Sequence, residues 1–310
     1  MKKIIFITFI SMWLSILSVN GQQLPLYSQY LLNSFVINPA SAGVMDYSLV
    51  QTNVRYQWEG FHDAPRTFNI SANIPNKQKK IGTGGFVFTD ITGPVSRFGI
   101  NLAYAYHVEM GNDLILSMGM FGGLMQYQVN GEEILLADEE ERYLFEGVES
   151  AIVPDASFGT YLYTDRGFVG FSFNHLLQNK LKTDLFNKDS ESFGYLSNHL
   201  FITGGYLFEL NSVWDLEPSL LLKIISPLPP QMDASIRVLY DDEIWLGIQY
   251  RTQDAIVIAI GYEYKKRLII GYSYDFTTSN IKNYSSGSHE VMLGYKFGVP
   301  ASEGNVPFLK

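Results

Sequence analysis

The stretch "NVRYQWEGFHDAPRTFNISANIP" (residues 53–75) contains two segments in which polar and apolar side chains alternate on either side of a short bend. This alternation has the period of a strand with two different faces, so the stretch predicts a β-hairpin. A soluble sandwich would bury the apolar face, whereas a membrane barrel would expose it to lipid. The polar face carries Asn53, Arg55, Gln57, Thr67, Asn69, Ser71 and Asn73, and the apolar face carries Val54, Tyr56, Trp58, Phe68, Ile70, Ala72 and Ile74.

Residues 1–21 are predicted to be a cleaved secretory signal peptide. Lys2 and Lys3 precede an apolar run from Ile4 to Val19, which is shorter than the ~20 residues of a spanning helix. A retained membrane anchor is the alternative, and Gln22 is the predicted mature N-terminus. The sequence contains no cysteine, which excludes a lipobox, disulfides and thiolate metal sites.

The composition favours a membrane barrel over a soluble domain. Charged residues make up 17% of the chain, below the ~25% of ordinary soluble domains, while 20 Tyr, 21 Phe and 27 Gly are present. A chain rich in aromatics and glycine is typical of a transmembrane β-barrel, whose signal per strand is weak. The net charge of −9 argues against nucleic-acid binding, which requires a basic face.

Alternation recurs along the whole chain. One face of several segments is bulky and ends in tyrosines, while the other is small or polar; Leu102, Ile258 and Ile270 lie on bulky faces. Lipid-facing strands carry aliphatic side chains at mid-depth and aromatic ones at the interface. Fourteen strands are predicted, at about 47–58, 66–75, 81–90, 95–108, 113–129, 153–164, 167–175, 197–210, 214–225, 231–240, 243–251, 254–264, 267–276 and 288–298.

The connections support a closed barrel with both termini in the periplasm. The three longest, 130–152, 176–196 and 277–287, all follow odd-numbered strands, as extracellular loops do. An even strand count lets an antiparallel sheet close without leaving an edge. The sequence therefore predicts an all-β, antiparallel transmembrane outer-membrane barrel over 47–298, preceded by a non-strand segment 22–46 and followed by a tail 299–310.

The segment 22–46 is too apolar for a free tail, since it contains Tyr27, Tyr30, Phe35 and Ile37. One interpretation is a partial plug in the barrel mouth or lumen, with Pro39 and Gly43 shaping its turns. The other is a periplasmic strap packed below the barrel.

The sequence lacks catalytic and metal-binding motifs. Its five histidines are dispersed, and "GTGG" at 82–85 has no phosphate-loop context; glycines in a strand more often permit kinks or close backbone approach. His289 with Glu290, or His175 with a nearby hydroxyl, could resemble the catalytic residues of a barrel enzyme, but no sequence motif supports either pair. We therefore expect no enzyme activity, no cofactor and no metal. The charge run 138–142 is interpreted as a solvated loop tip, with a partner or cation contact as the alternative.

Arg55 shares a face with Gln57, so its charge is expected to point into the lumen, where it needs water or a carboxylate. Asp63, Glu263 and Asp275 are candidate partners. A structural ion pair and a ligand contact are the two interpretations. Further charged side chains fall on inward faces, so the lumen is expected to be polar and of mixed sign, unlike a strongly selective pore.

Several blocks in order carry a family resemblance: "YSQYLLNSFVINPASAG" (27–43), "RYQWEGFHDAPRTFNIS" (55–71), "LGIQYRTQDA" (246–255), "IIGYSYDF" (269–276) and "GSHEVMLGYKF" (287–297). Together they closely resemble the PorP/SprF family of type IX secretion system membrane proteins of Bacteroidetes. One departure is Ser41, where the family commonly has an aromatic residue.

The resemblance implies a non-enzymatic outer-membrane component that supports secretion or cell-surface anchoring of sorting-domain proteins, such as gliding adhesins. Its implied partners are outer-membrane lipid, a secreted type IX sorting-domain protein and other type IX components in the periplasm; the outward loops would grip the exported partner. The alternative is a passive or substrate-specific pore. Candidate family-signature residues, with possible lumen or partner contacts, are Asn38, Pro39, Gly43, Arg55, Gln57, Trp58, Pro65, Arg66, Asp275, His289 and Glu290.

Overall fold

The structure is a computed structural model that describes residues 27–76, 80–111, 113–133, 147–182 and 192–298. The predicted signal peptide, the predicted tail 299–310 and the charge run 138–142 lie outside the described residues. Among the described residues, no helix is long and apolar enough to cross a membrane.

Fourteen antiparallel strands of the described chain close into a barrel, which confirms the predicted fold and strand count. Closure is made by β1 pairing with β17, from Ser48 opposite Phe297 to Tyr56 opposite His289. The barrel strands are β1 Ser48–Tyr56, β2 Arg66–Asn76, β3 Ile81–Thr92, β4 Val95–Gly111, β5 Leu114–Asn130, β6 Val148–Tyr163, β7 Gly167–Asn174, β10 His199–Tyr206, β12 Trp214–Ile225, β13 Gln231–Tyr240, β14 Ile244–Arg251, β15 Ala255–Tyr264, β16 Leu268–Thr277 and β17 Ser288–Phe297.

Three short strands complete the described β-structure. β11 (Phe208–Glu209) continues β10 along β12, after Leu207 donates its N–H to Arg166 O at 2.7 Å. β8 (Lys180–Lys182) and β9 (Ser192–Tyr195) pair with each other in the connection between β7 and β10. This small hairpin was not predicted, and its Leu181 packs on Val153 inside the barrel.

The alternation of the sequence becomes two faces of the wall. Leu102, Ile258 and Ile270 face outward and are 69%, 44% and 42% exposed, whereas Val257, between two exposed neighbours, is 1% exposed. The hairpin 53–75 follows the same rule, because its polar set is buried inside and Phe68 and Ile70 are exposed outside. The inner face therefore combines buried polar side chains with buried apolar ones such as Val257, and the outer face is apolar, the reverse of a soluble sandwich.

The two ends of the barrel differ in their connections. We call the end where β1, β3, β5, β7, β12, β14 and β16 finish the loop end, because the long connections lie there. The opposite end, with the short connections, is the turn end. The even-numbered predicted strands do finish at the turn end, as the loop-length argument requires.

Residues 27–47, which we call the lumen segment, run inside the barrel toward the start of β1. Buried hydrogen bonds join the segment to opposite walls: Asn33 Nδ2 donates to Asn53 Oδ1 on β1 at 3.0 Å, and Tyr30 Oη lies 3.3 Å from Ser219 Oγ on β12. The segment contains two short 3-10 helices, Ser34–Val36 and Pro39–Ser41. It reaches the turn end at Tyr47, whose ring lies under Lys296 Nζ at 4.5 Å.

Candidate functional site: the occupied lumen

Glycines on the inner wall let the backbone of the lumen segment approach closely. A Cβ at Gly82 of β3 would lie 1.9 Å from Ala42 O, and one at Gly119 of β5 would lie 2.5 Å from Pro39 O. Any side chain at these positions would displace the segment, since real Cβ contacts do not reach such distances. At two further inner-wall positions a Cβ would instead meet side chains of the segment: the Asn38 amide at Gly159 and the Phe35 ring at Gly84. We call Gly82, Gly84, Gly119 and Gly159 the glycine track.

Wall side chains bind the main chain of the lumen segment. Ser172 Oγ and Asn174 Nδ2, both on β7, donate to Ile37 O at 2.7 and 3.2 Å. Asn73 on β2 binds the segment twice, accepting from Gly43 N at 2.7 Å and donating to Ser41 O at 3.4 Å. These bonds satisfy backbone groups that a buried, non-strand segment would otherwise leave unpaired.

The predicted residues Asn38, Pro39 and Gly43 form the middle of this segment. Asn38 caps the second 3-10 helix by accepting from Ala40 N at 2.9 Å, and its Nδ2 donates to Thr160 O on β6 at 3.1 Å. Pro39 takes the first helical position, which suits its fixed φ. Gly43 has φ of +69° and packs against Gly82, so the turn requires glycine both for its conformation and for its space.

The loop-end half of the lumen contains a buried ionic cluster. Arg55 Nη2 lies 2.7 Å from Asp275 Oδ2 and Arg55 Nη1 lies 3.3 Å from Glu290 Oε2. Arg251 Nη1 lies 3.0 Å from the same Asp275 oxygen. Ser28 of the lumen segment completes the group, and we call Ser28, Arg55, Arg251, Asp275 and Glu290 the loop-end cluster.

Ser28 ties the lumen segment to every other member of that cluster. Its Oγ donates to Asp275 Oδ2 at 2.8 Å and accepts from Arg55 Nη1 at 2.8 Å and Arg251 Nη2 at 3.0 Å. The backbone N–H of Ser28 donates to Glu290 Oε2 at 2.7 Å, and that of Gln29 donates to Glu290 Oε1 at 3.2 Å. Buried charges are tolerated only when they are paired and hydrogen-bonded, and the segment supplies part of that pairing.

The partner of Arg55 was one of three candidates from the sequence. Asp275 is a partner, but Asp63 and Glu263 are not. Asp63 is bound by the exposed His62, and Glu263 pairs with Lys296 at the turn end at 2.7 Å. Glu290 also pairs with Arg55, and the local pattern does not predict this pair because the β1–β17 register depends on the closure of the whole sheet.

Further charged pairs make the lumen lining mixed in sign, as expected from the inward faces. Lys223 Nζ lies 2.8 Å from Asp233 Oδ2, which Arg251 Nε also approaches at 3.3 Å. Arg237 Nε donates to Glu217 Oε2 at 2.7 Å. All of these side chains are buried.

Apolar contacts hold the other side of the lumen segment. Phe35 packs edge-on against Phe121, with ring centroids 5.5 Å apart, and against Phe86 at 6.2 Å. Such edge-to-face pairs contribute ~0.5–1.5 kcal/mol beyond their area. Tyr30 and Ile37 pack on Phe201 and Leu221 of the opposite wall.

The remaining predicted site residues lie at the loop end. Gln57 N donates to Pro65 O at 2.9 Å and closes the first hairpin loop, and Trp58 N donates to Ser288 Oγ at 3.0 Å. Arg66 is exposed and lies opposite Tyr56 in the register. These residues surround the ends of β1 and β17 without joining the loop-end cluster.

His289 and Glu290 face opposite sides of the wall and form no joint site. His289 lies outside, with Nδ1 2.7 Å from Tyr272 Oη and Nε2 2.9 Å from Glu59 Oε2. His175 Nδ1 lies 3.0 Å from Asp155 Oδ2. Within the described residues, no group of three His, Asp or Glu side chains is arranged to hold a metal ion.

Several cavities lie between the lumen segment and the wall. One of about 290 Å³ lies at the turn end and is lined by Gly43, Val44, His107 and Tyr163. Another of about 40 Å³ lies nearer the loop end, beside Ile37 and Phe201. The second has the volume of one or a few water molecules, so the segment and wall are closely packed there.

The fold and lining define a class: an outer-membrane β-barrel of fourteen antiparallel strands, with a chain segment inside it. The chain belongs to the type IX secretion system membrane protein PorP/SprF family, whose sequence profile matches residues 19–295. The resemblance read from the ordered blocks is thereby confirmed. The family description names a secretion-system membrane component and no enzyme.

Solved structures share the barrel at low sequence identity. The CymD monoaromatic hydrocarbon channel aligns with a TM-score of 0.50 and 10% identity, over 89% of this chain and 94% of that one. A FadL homologue of Pseudomonas aeruginosa aligns at 0.49 and 12%, over 89% and 96%, and the toluene transporter TbuX of Ralstonia pickettii at 0.49 and 10%, over 86% and 93%. At such identity the likeness concerns the fold alone. A search of curated proteins found no match.

Sequence reasoning missed Ser28, Arg251 and half of the glycine track, namely Gly119 and Gly159. Alternation does place Arg251 inward, two residues after the inward-facing Gln249, so its burial had a signal. The glycines at 82–85 were interpreted as allowing kinks or close backbone approach; the backbone of the lumen segment does approach Gly82, and the Phe35 side chain packs against Gly84. What approaches them could not be read from the sequence.

Proposed function

We propose that this protein is a closed, non-enzymatic component of type IX secretion that supports the secretion or cell-surface anchoring of sorting-domain proteins. The observation that carries the proposal is the lumen segment, which occupies the interior with its own backbone bonded to the wall. An occupied lumen suits a barrel that holds other proteins rather than one that passes solutes. The described part of the predicted segment 22–46, residues 27–46, is then a plug rather than a strap below the barrel.

The orientation follows from the connections and the exposed face. The loop end faces outward, and the turn end, where β1 begins and β17 finishes, belongs to the periplasmic side. Because Ser28 lies in the loop-end cluster, the described start of the lumen segment lies in the loop-end half, so only the C-terminal end of the barrel fits the predicted periplasmic placement of both termini. Residues 1–21 are removed as a signal peptide. Outer-membrane lipid surrounds the exposed aliphatic band, of which Ile248 and Leu246 are 56% and 55% exposed. Leaving that area in water would be costly, at ~25 cal/mol per Å².

Partner recognition is assigned to the two ends. The loop-end connections, including 278–287, grip an exported protein that carries a type IX sorting domain, because loops on a rigid barrel present variable surfaces. The short turns at the periplasmic side contact other type IX components. Gliding adhesins are one class of exported partner that this arrangement would serve.

A passive or substrate-specific pore is the rival function. The mixed-sign lumen lining gives no dominant charge for ion selection. Purified protein in planar bilayers separates the two functions, since a closed barrel gives no stable conductance and a pore gives steady open steps. A stable open conductance of the wild-type protein would overturn the closed-barrel proposal.

A second experiment tests the secretion role directly. The tagged protein is captured from detergent-solubilised membranes and probed for proteins with a type IX sorting domain. A matched variant carries connection 278–287 from a paralogue on an otherwise unchanged barrel. The proposal expects the captured sorting-domain protein to change with the connection; unchanged capture would remove the loop-grip part, and no such protein in either sample would remove the secretion role.

A further inference from the structure

The lumen segment has the properties of a bound peptide rather than of an independent fold. Its regular structure consists of the 3-10 helices Ser34–Val36 and Pro39–Ser41, each of three residues. Helices this short do not persist alone, because few hydrogen bonds offset the entropy of fixing the chain. The wall therefore imposes the conformation, as a binding site does on a peptide that folds when bound.

Side chains of the wall form hydrogen bonds with the main chain of the segment at three heights along the barrel axis. Near the loop end, Glu290 accepts from two successive backbone N–H groups, those of residues 28 and 29. In the middle, Ser172 and Asn174 both donate to Ile37 O. Nearer the turn end, Asn73 both accepts from Gly43 N and donates to Ser41 O. Main-chain bonds of this kind supply affinity in peptide recognition, whichever side chains the peptide carries.

Two features add selectivity to those main-chain bonds. At Gly82 and Gly119 the wall has no side chain, so the backbone of Pro39–Ala42 lies directly against β3 and β5. The Asn38 side chain fits between Gly159 and Thr160 O. An aromatic ring upstream, supplied by Phe35, fills the space beside Phe121 and Phe86.

We propose that the lumen is a peptide-binding site whose resident ligand is the chain's own lumen segment. When the segment is withdrawn, the site accepts in trans a peptide of the same chemistry: an aromatic residue, then Asn-Pro, then small residues that fit the glycine track. The inference rests on the proposed closure, because a lumen that is open in the intact protein would hold no resident ligand.

The experiment converts the resident segment into a separable peptide without altering folding. A protease site is inserted between Asp46 and Tyr47, at the turn end, and the full chain is folded before it is cut. Size-exclusion chromatography and mass spectrometry then report whether the fragment stays with the barrel. A labelled synthetic peptide of residues 27–46 is added, and its exchange into the cut barrel is measured against a scrambled peptide.

Matched glycine variants make the test specific. In the cut protein, Gly119→Ala is expected to weaken binding of the 27–46 peptide at least tenfold, because the added Cβ would meet Pro39 O at 2.5 Å. Gly122→Ala, on the same strand with nothing within 4 Å, should leave binding unchanged. The site would be established if the fragment stays with the barrel, if the labelled peptide exchanges saturably, and if Gly119→Ala weakens binding while Gly122→Ala does not.

Two different failures are distinguishable. A cut barrel that loses the fragment and binds neither peptide, or that binds the scrambled peptide equally, overturns the peptide-site inference. Equal binding by the two glycine variants does so as well. Conductance of the uncut protein is recorded in parallel, and a steady current there would instead overturn the closed-barrel proposal.

Discussion

The loop-end cluster allows a quantitative test through Asp275→Asn. Asp275 accepts from Arg55 at 2.7 Å, Arg251 at 3.0 Å and Ser28 Oγ at 2.8 Å, and its side chain is 2% exposed. Asparagine has nearly the same shape but no charge, and its amide adds donors where the neighbours already donate. Removing one charge from a buried pair costs ~3–5 kcal/mol, because the opposite charge remains buried.

The assay is equilibrium urea unfolding in phospholipid vesicles, followed by tryptophan fluorescence. Asp63→Asn is the matched control, because Asp63 pairs with His62 at 2.7 Å but its side chain is 56% exposed. Such a surface pair contributes ~0–1 kcal/mol. We expect Asp275→Asn to lower the free energy of unfolding by ~3–5 kcal/mol and the control to lower it by less than ~1 kcal/mol.

The pairing with Arg55 is isolated by adding Arg55→Met. Neighbouring residues in one ionic network couple by ~0.5–3 kcal/mol, so the double variant should lose less than the sum of the single losses. If Asp275→Asn unfolds like Asp63→Asn, or if the two cluster substitutions simply add, then the Arg55–Asp275 pair does not stabilise the fold and its assigned role in the loop-end cluster is refuted.

Three further outcomes are expected. In the intact protein, Gly119→Ala should cost ~1–3 kcal/mol of unfolding free energy by overpacking, whereas Gly122→Ala should stay within ~1 kcal/mol of wild type; equal costs would contradict the close approach of the lumen segment. A spin label at Ile258 should be quenched by a lipid-dissolved reagent and one at Val257 should not, and the opposite pattern would reverse the two faces of the wall. Deleting the lumen segment in cells should raise permeability to small antibiotics while leaving the barrel detectable, so an unchanged permeability of a well-expressed variant would argue against closure.

Much of the barrel was predictable because its cause is local. Strands β4, β15 and β16 repeat every two residues, with mostly bulky side chains outward and mostly small or polar ones inward, so their faces follow from the sequence. The limits of β15 and β16 agree with the prediction within one residue, whereas β4 extends to Gly111 and not to 108. The three longest connections follow odd-numbered predicted strands, which indicated that these strands all end on the same side of the membrane. These features need no knowledge of distant partners.

The boundaries that failed depend on distant contacts. The strand β6 begins at Val148 rather than near 153, because its first residues pair with β5 alone; pairing with β7 starts only at Phe158. The β8–β9 hairpin is held by Leu181 and Leu196 in the barrel interior, which no local pattern reveals. Whether residues 148–157 have a strand on one side or on both depends on the whole sheet, so the local sequence does not reveal it.

The candidate site was only half accessible to sequence reasoning. Alternation placed Arg55 and Asp275 inward, since each sits among small or polar neighbours on its face. The lumen segment has no comparable period, because 3-10 helices of three residues and irregular backbone leave no repeating signal. Its route across the wall depends on glycines far apart in the chain, and only the three-dimensional register aligns them.

The seam between the first and last strands has a consequence for biogenesis. The lumen segment continues directly into β1, and β1 pairs with β17. The barrel therefore closes only after the residues of β17 have reached the membrane. Because the segment has no stable fold of its own and takes its conformation from the wall, we expect the newly made chain to order its leading end as the wall forms around it, before the first and last strands pair. Pulse-labelled assembly intermediates that already form a sealed ring, with Ser28 still reachable by bulky reagents from the periplasm, would show the reverse order.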